Sequence, residues 1–167
     1  MSLSTASKIY YLSASASTKQ LSITADKVAL VTLSGATLSA TTALGSLIDN
    51  PNNYTWIEGT YNGDTYAASV ISSSGNKFAR YHNLYLRGAG NAGLLVDGTT
   101  HSLFDNIRVI GNSGSPSIFA GIWMASDNSD NVFYNINLSN ASGAYDGIGL
   151  NFDSSITNSS PSANNTF

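Results

Sequence analysis

Cysteine is missing from this chain of 167 residues, and charged side chains are scarce. Without cysteine the chain can form no disulfide, no thiolate nucleophile and no cysteine-ligated zinc site. Charged residues make up 10% of the chain, whereas about 25% is typical of soluble domains. Ser, Thr, Asn, Gly and Ala take their place. This composition, polar without being charged, is typical of extracellular or virion-surface β proteins.

The sequence also lacks a basic region and a long apolar run. Its formal net charge is -3, and no stripe of Lys and Arg provides the positive surface that nucleic-acid binding requires. No apolar run approaches the roughly 20 residues of a membrane-spanning helix. We therefore expect neither a nucleic-acid partner nor a membrane span.

The most informative feature of the sequence is a repeat between residues 92 and 150. The strings AGLLVDGTTHSLFDNIRVIGN and AGIWMASDNSDNVFYNINLSN align nearly without gaps, and DGIGLNF begins a third copy. Each full copy starts with a glycine and a short apolar segment, and continues with an aromatic residue, an Asn and a second apolar alternation. These segments are too short for helices and alternate with a period of two, so we predict that they are strands.

The spacing of the copies indicates how the strands are arranged. Equivalent residues recur every 23 to 29 positions, as Asn83, Asn106 and Asn135 show, and no helical pattern intervenes. Such a period is typical of a solenoid, in which equivalent side chains of successive turns stack about 4.8 Å apart. We predict an all-β fold, a coil of parallel strands. An antiparallel β-sandwich is the alternative.

Three asparagines, Asn83, Asn106 and Asn135, recur at one corner of the predicted coil. Asn tolerates a left-handed backbone and can form hydrogen bonds through its own amide, as a tight corner requires. We expect the three side chains to form a ladder of amide hydrogen bonds. The side chains predicted to face the core are Tyr81, Leu84, Leu86, Phe104, Ile107, Val109, Phe133, Ile136 and Leu138.

The alternation of Gly-apolar-x-apolar with aromatic-x-Asn-apolar-x-apolar resembles the right-handed parallel β-helix of the pectin-lyase-like superfamily, which includes pectin-degrading enzymes and phage tailspikes. The resemblance covers roughly residues 55 to 167, and its motifs imply the fold more than an activity. Residues 59–88 are also similar to the turn that precedes the active site of pectin methylesterases. The Gln-Asp and second Asp of that family have no counterpart at residues 110–116, so its catalytic residues are not implied.

The first 48 residues differ from the rest of the chain. They contain short strand-like segments but not the corner Asn pattern, and a turn cluster follows at residues 47–53. Because the ends of a solenoid must be covered, we predict an N-terminal cap or attachment region at residues 1–48 and the β-helix at 49–167. Phe167 stands where the aromatic residue of another copy belongs, so we expect further turns to follow it.

No catalytic constellation, metal site or cofactor site is predicted. His82 and His101 lack partners at metal-ligand spacing and are interpreted as surface or turn residues. Glycoside hydrolysis needs two carboxyl groups, but the available acids are interpreted as turn and corner residues, where Asp is favoured. These acids are Glu58, Asp105, Asp127, Asp130, Asp146 and Asp153.

Four large side chains are candidates for a ligand site or a protein interface: Trp123, Leu95, Tyr85 and Tyr134. Exposed aromatic rings suit sugar rings and protein partners equally. Leu95 and Trp123 occupy equivalent positions in successive copies, so we expect one above the other, in a stripe where the chains of a trimer meet.

The sequence therefore predicts a structural and adhesive component of a viral tail fibre, a tailspike or a similar surface fibre. Its expected location is the virion or an extracellular surface, and its expected partners are copies of itself, other fibre proteins and a host glycan. The alternative is a secreted carbohydrate-active enzyme of the pectin-lyase type. A repeat protein that only spaces other modules is a third possibility. A pair of acids assembled in a surface cleft would favour the enzyme.

Overall fold

The computed structural model describes residues 1–110, 120–125, 127–139, 148–152 and 164–166, and all the regular elements in these ranges are strands. None of the described residues forms a helix long and apolar enough to cross a membrane. The strands are β1 (Ser2–Leu3), β2 (Ile9–Leu12), β3 (Ala16–Thr18), β4 (Leu21–Ile23), β5 (Ala29–Thr32), β6 (Leu38–Ala40), β7 (Leu44–Asn50), β8 (Trp56–Asn62), β9 (Ala67–Ser74), β10 (Arg80–Arg87), β11 (Ala92–Asp97), β12 (Leu103–Ile110), β13 (Ala120–Met124), β14 (Val132–Ser139) and β15 (Ile148–Phe152).

The strands pair in parallel and form two sheets. Sheet A has the order β1-β4-β7-β9-β11-β13-β15, and the main path of sheet B is β14-β12-β10-β8-β5-β2. Short β3 pairs with β6, which pairs with β8. Neighbouring strands of a sheet belong to successive turns of the coil, and the chain is a parallel β-solenoid. The predicted solenoid is confirmed, and the antiparallel sandwich is wrong.

The side chains predicted to face inward form the core between the sheets. Six of the nine are buried to 2% exposure or less, Phe133 is 3% exposed, and Ile136 and Leu138 are partly buried against the others. The rings of Tyr81, Phe104 and Phe133 stack on three successive turns, with centroids 4.8 and 4.6 Å apart. The core is therefore built from like side chains placed one above another.

The asparagine corner lies within sheet B, where Asn83, Asn106 and Asn135 have φ angles of 47°, 54° and 52°. The amide of Asn106 donates a hydrogen bond to the side-chain oxygen of Asn83, and the amide of Asn135 donates one to Asn106 over 3.0 Å. One turn earlier the corner is shorter by one residue, and Gly59 forms it with φ 121°. A Cβ at Gly59 would collide with Thr32, so only glycine fits there.

A buried polar network contacts the aromatic stack from inside the coil. The hydroxyl of Tyr81 accepts hydrogen bonds from the side-chain amides of Asn50, over 2.7 Å, and Asn76, over 2.9 Å. Both asparagines are fully buried, so these bonds replace the water that the amides lose on folding. Burial raises the pKa of Tyr81 to about 12.

We expect the free energy of unfolding to fall as the pH rises from about 10 to about 12. The ordinary pKa of tyrosine is 10.0, and the folded-state pKa of Tyr81 is higher. The protonated hydroxyl of Tyr81 therefore stabilises the fold fully below the ordinary pKa. Between the ordinary and the folded-state pKa, the free energy of unfolding falls by about 1.4 kcal/mol per pH unit. Burial also raises the pKa of Tyr61, so a second tyrosine contributes to the decrease.

Urea unfolding near pH 9 and near pH 11 measures this effect, with Tyr81→Phe as the comparison. The variant lacks the titrating hydroxyl, so its free energy of unfolding should fall less between the two pH values. An equal fall in both proteins would show that Tyr81 does not titrate as described.

Residues 1–48 supply strands to the same two sheets as the rest of the coil. Strand β4 pairs with β7, and β5 pairs with β8. Strand β7 crosses the boundary predicted at residue 49. An apolar cavity of about 200 Å³ lies at this end of the coil. The role of these residues as a cap or attachment region stays a prediction.

Candidate functional site

The outer face of sheet B carries side chains in columns, because its strands pair in register. Neighbours in a column lie on adjacent strands, about 4.8 Å apart. One column consists of Trp56, Arg80, Leu103 and Val132. The next, called the Glu58 column below, consists of Glu58, His82, Asp105 and Tyr134.

Asp105 lies at the centre of a charged group on this face. Its Oδ2 is 2.7 Å from Nδ1 of His82 and 3.2 Å from Nη2 of Arg80. Because a carboxylate only accepts hydrogen bonds, both groups donate to it. The side chain of Asp105 is 15% exposed, and its other oxygen, Oδ1, is buried without a hydrogen-bond partner. Asp105 is thus held in place by Arg80 and His82, and its Oδ1 is closed off from solvent.

Glu58 is fixed by neutral groups. Its Oε2 accepts a hydrogen bond from Nε1 of Trp56, and its Oε1 accepts one from Nδ2 of Asn83, each over 3.1 Å. The guanidinium of Arg80 lies over the Trp56 ring, 4.8 Å from its centroid. Since β10 separates β8 from β12, the backbones of Glu58 and Asp105 are about 9.5 Å apart. Both acids lie on the outer face of sheet B, with His82 between them in the column.

Guanidinium groups also lie on this face. The chain has three arginines, and all lie on β10 and β12: Arg80, Arg87 and Arg108. Arg108 lies over the ring of Tyr85, 5.6 Å from its centroid. The face therefore combines carboxylates, guanidinium groups and aromatic rings.

The four predicted ligand or interface residues lie on two different faces. Tyr134 follows Asp105 in the Glu58 column and is 70% exposed, while Tyr85 is half-buried on the same outer face. Leu95 and Trp123 lie on the outer face of sheet A, paired in register, and both are half-buried. The structure thus groups Tyr85 and Tyr134 with the acids, and Leu95 with Trp123 alone. Their role in a trimer interface stays a prediction.

The outer face of sheet A carries an acidic side chain, Asp49. It lies in the column that continues through Ser72 to Leu95. Burial raises the pKa of its carboxyl above the ordinary value. Among the described residues, no group of three His, Asp or Glu side chains could hold a metal ion.

Sequence reasoning missed the grouping of Glu58, His82 and Asp105. The two acids lie at the corner within strands β8 and β12, directly before Gly59 and Asn106. Asp127 and Asp130 do lie in one exposed turn, whereas Asp146 and Asp153 fall outside the described residues. A usable signal was present, since His82 and Asp105 each come directly before a corner asparagine. Aligning the turns on that corner places them in one column.

Comparison with known proteins gives a likeness in structure but no match in sequence. No family model and no curated protein matches the chain. The fold is similar to that of a protein from Parabacteroides merdae described as a "putative glycosyl hydrolase", with a TM-score of 0.70 and 15% sequence identity, over 95% of this chain and 79% of that one. At this level of identity the likeness shows the fold alone.

Proposed function

We propose that the chain is a carbohydrate-active protein of the pectin-lyase-like type, which binds a glycan across the outer face of sheet B and hydrolyses a glycosidic bond there. The observation that carries this proposal is the placement of Glu58 and Asp105 in one column with a single histidine between them. Inverting glycosidases hold their two carboxyl groups about 6.5 to 9.5 Å apart, which leaves room for a water molecule. Two strand spacings give about 9.5 Å between the backbones, and both side chains lean toward β10.

The contacts of the two acids suit different roles in this reaction. Asp105 contacts Arg80 and His82, and in this reaction its carboxylate takes a proton from the attacking water. In this reaction Glu58 is the acid, and it donates the proton that the leaving sugar oxygen needs. The water oxygen then bonds to the anomeric carbon as the glycosidic bond breaks. Arg80 and His82 act as positioning residues for Asp105.

The surroundings of the acids supply the means of holding a sugar chain. Tyr134 is the most exposed large aromatic residue next to the pair, and a sugar ring can pack on its free face. Three outward arginines on β10 and β12 favour glycans that carry carboxylate or sulfate groups, since guanidinium binds both through paired hydrogen bonds.

The fibre or tailspike function predicted from the sequence has less support than this alternative. The similar protein is described as a glycosyl hydrolase, and no finding points to a virion, a fibre or a trimer. The virion or extracellular location predicted from composition likewise stays a prediction.

A panel of neutral and acidic polysaccharides tests the proposal, with binding measured by calorimetry and cleavage measured as new reducing ends. Tyr134→Ala should weaken glycan binding by about tenfold, because it removes an exposed ring beside the acids. Tyr66→Ala is the matched control, since Tyr66 is also exposed but lies in a turn outside sheet B. If no member of the panel binds, or if both variants bind equally well, the glycan site is not on this face.

A further inference from the structure

Strand β5 leaves a gap on the outer face of sheet B. Its residue Ala29 pairs in register with Trp56 of β8 on one side and with Ile9 of β2 on the other. Trp56 is 37% exposed and Ile9 is 58% exposed, while the side chain of Ala29 is a single methyl group. Trp56 and Ile9 are two strand spacings, about 9.5 Å, apart. The gap between them, with Ala29 as its floor, is called the Ala29 slot below.

One face of the Trp56 ring is directed into the Ala29 slot. The guanidinium of Arg80 lies over the ring, 4.8 Å from its centroid, and the ring of His82 stands perpendicular to it, with the centroids 6.0 Å apart. Both residues belong to β10, so they cover the side of the ring that faces β10. The opposite face is directed toward β5, where Ala29 is the paired residue. An indole face is therefore available to a ligand next to Glu58.

The dimensions of the Ala29 slot suit one ring-shaped group. Rings on neighbouring strands of this coil stack 4.8 and 4.6 Å apart in the core, which is one strand spacing. A sugar ring over Ala29 would thus lie one spacing from Trp56 and one from Ile9, with its C–H face packed on the indole. The floor continues along β5 to Val31, beside exposed Tyr11, so the slot also has room for the hydroxyl groups of the sugar.

We propose that the Ala29 slot holds the leaving sugar of the glycosidic bond that is broken, an inference that rests on the proposed hydrolysis. One column of sheet B contains, in order, Asp105, His82, Glu58 and Val31. In an inverting reaction the water attacks the anomeric carbon from the side opposite to the leaving oxygen. The water, the reacting sugar and the leaving sugar therefore follow in this order from Asp105 toward Glu58. The leaving sugar then lies past Glu58, over β5.

Trp56 links this sugar to the proposed acid. Its Nε1 donates a hydrogen bond to Oε2 of Glu58 over 3.1 Å. The ring holds the leaving sugar, while the N–H holds the carboxyl group that protonates the leaving oxygen. Trp56 is thus a binding residue for the sugar and a positioning residue for Glu58, and two substitutions separate these roles. Phenylalanine retains a ring face but has no N–H, whereas alanine has neither.

Kinetics on a polysaccharide that the wild-type chain cleaves test the proposal. Trp56→Ala should lower kcat/KM by about tenfold or more, because it removes both the ring and the N–H. Trp56→Phe should lower kcat but recover most of the loss in KM. Ala29→Leu fills the slot but retains Trp56, and it should also lower kcat/KM by about tenfold. Ser72→Leu is the matched control and should keep the wild-type value, since Ser72 is a small, half-buried side chain on the outer face of sheet A.

The length of the glycan distinguishes the position of the leaving sugar from a more distant one. Every productive complex must fill this position, so the loss caused by Ala29→Leu should be as large for the shortest oligosaccharide that is cleaved as for the polymer. A loss that disappears with the shortest oligosaccharide would place the slot farther from the broken bond and overturn the proposal.

Tryptophan fluorescence tests the slot independently of the reaction rate. The chain has two tryptophans, so Trp123→Phe leaves Trp56 as the single emitter, and circular dichroism verifies that each variant is folded. The oligosaccharide products should change this emission, and Ala29→Leu in the same background should abolish the change. If no polysaccharide of the panel is cleaved, the proposed hydrolysis fails and this inference fails with it. Hydrolysis with the wild-type kcat/KM in Trp56→Ala and Ala29→Leu, or an emission that the products leave unchanged, would overturn the slot alone.

Discussion

Asp105→Asn is expected to lower the rate of glycan hydrolysis by about 10²- to 10⁴-fold, because an amide cannot accept a proton from the attacking water. Glu58→Gln should cause a loss of similar size, since the leaving sugar oxygen would then receive no proton. Both substitutions keep the shape of the side chain, so the affinity for glycan should change little. The loss should therefore appear in kcat rather than in KM.

The control for these substitutions is Asp64→Asn. Asp64 is exposed in a turn, and its φ of 51° is one that asparagine also tolerates. Reducing-end assays at saturating glycan should give wild-type rates for this variant. Hydrolysis by Asp105→Asn at the wild-type rate would show that Asp105 is not the base, and the same result for Glu58→Gln would remove it as the acid.

Phe104→Ala is expected to lower the free energy of unfolding by about 3 to 5 kcal/mol. Phe104 is fully buried and lies between the rings of Tyr81 and Phe133, so the substitution removes both ring contacts and leaves a cavity at the centre of the stack. Denaturant titration measures the change. Tyr134→Ala, on an exposed ring, should stay within about 0.5 kcal/mol of the wild type.

A second substitution keeps this prediction testable if Phe104→Ala fails to fold. Phe104→Leu retains most of the apolar volume, so its cost should be clearly smaller than that of the alanine variant. A change below about 1 kcal/mol for Phe104→Ala would contradict the stacked core, since loss of a buried phenylalanine side chain costs several times more.

The core could be predicted from the sequence because every turn must place similar side chains at the same inward positions. Tyr81, Phe104 and Phe133 share one offset from the corner asparagine, and this offset is enough to identify the stack. The same reasoning placed Leu95 beneath Trp123, and the two are neighbours across β11 and β13. Repetition constrains inward positions strongly, because each must match the turns above and below it.

The candidate site could not be predicted in this way, because outward positions need not repeat. The Glu58 column contains four different residue types, and no periodic pattern connects them. Glu58, the first residue of the column, is also harder to align with the others. The corner in its turn is formed by Gly59 and has one residue fewer than the corners of the turns that follow. The exposed corner at Tyr54 and Phe78 was missed for a related reason, since both residues adopt a left-handed backbone that bulky residues rarely occupy.

The most direct test of the central claim is the anomeric configuration of the first product, observed by proton NMR as hydrolysis of a bound glycan begins. Inversion at the anomeric carbon is the expected outcome, because the backbones of Glu58 and Asp105 are two strand spacings, about 9.5 Å, apart. Retention of configuration, or the absence of new reducing ends from every polysaccharide that binds, would contradict the assignment of Glu58 and Asp105 as the acid and base.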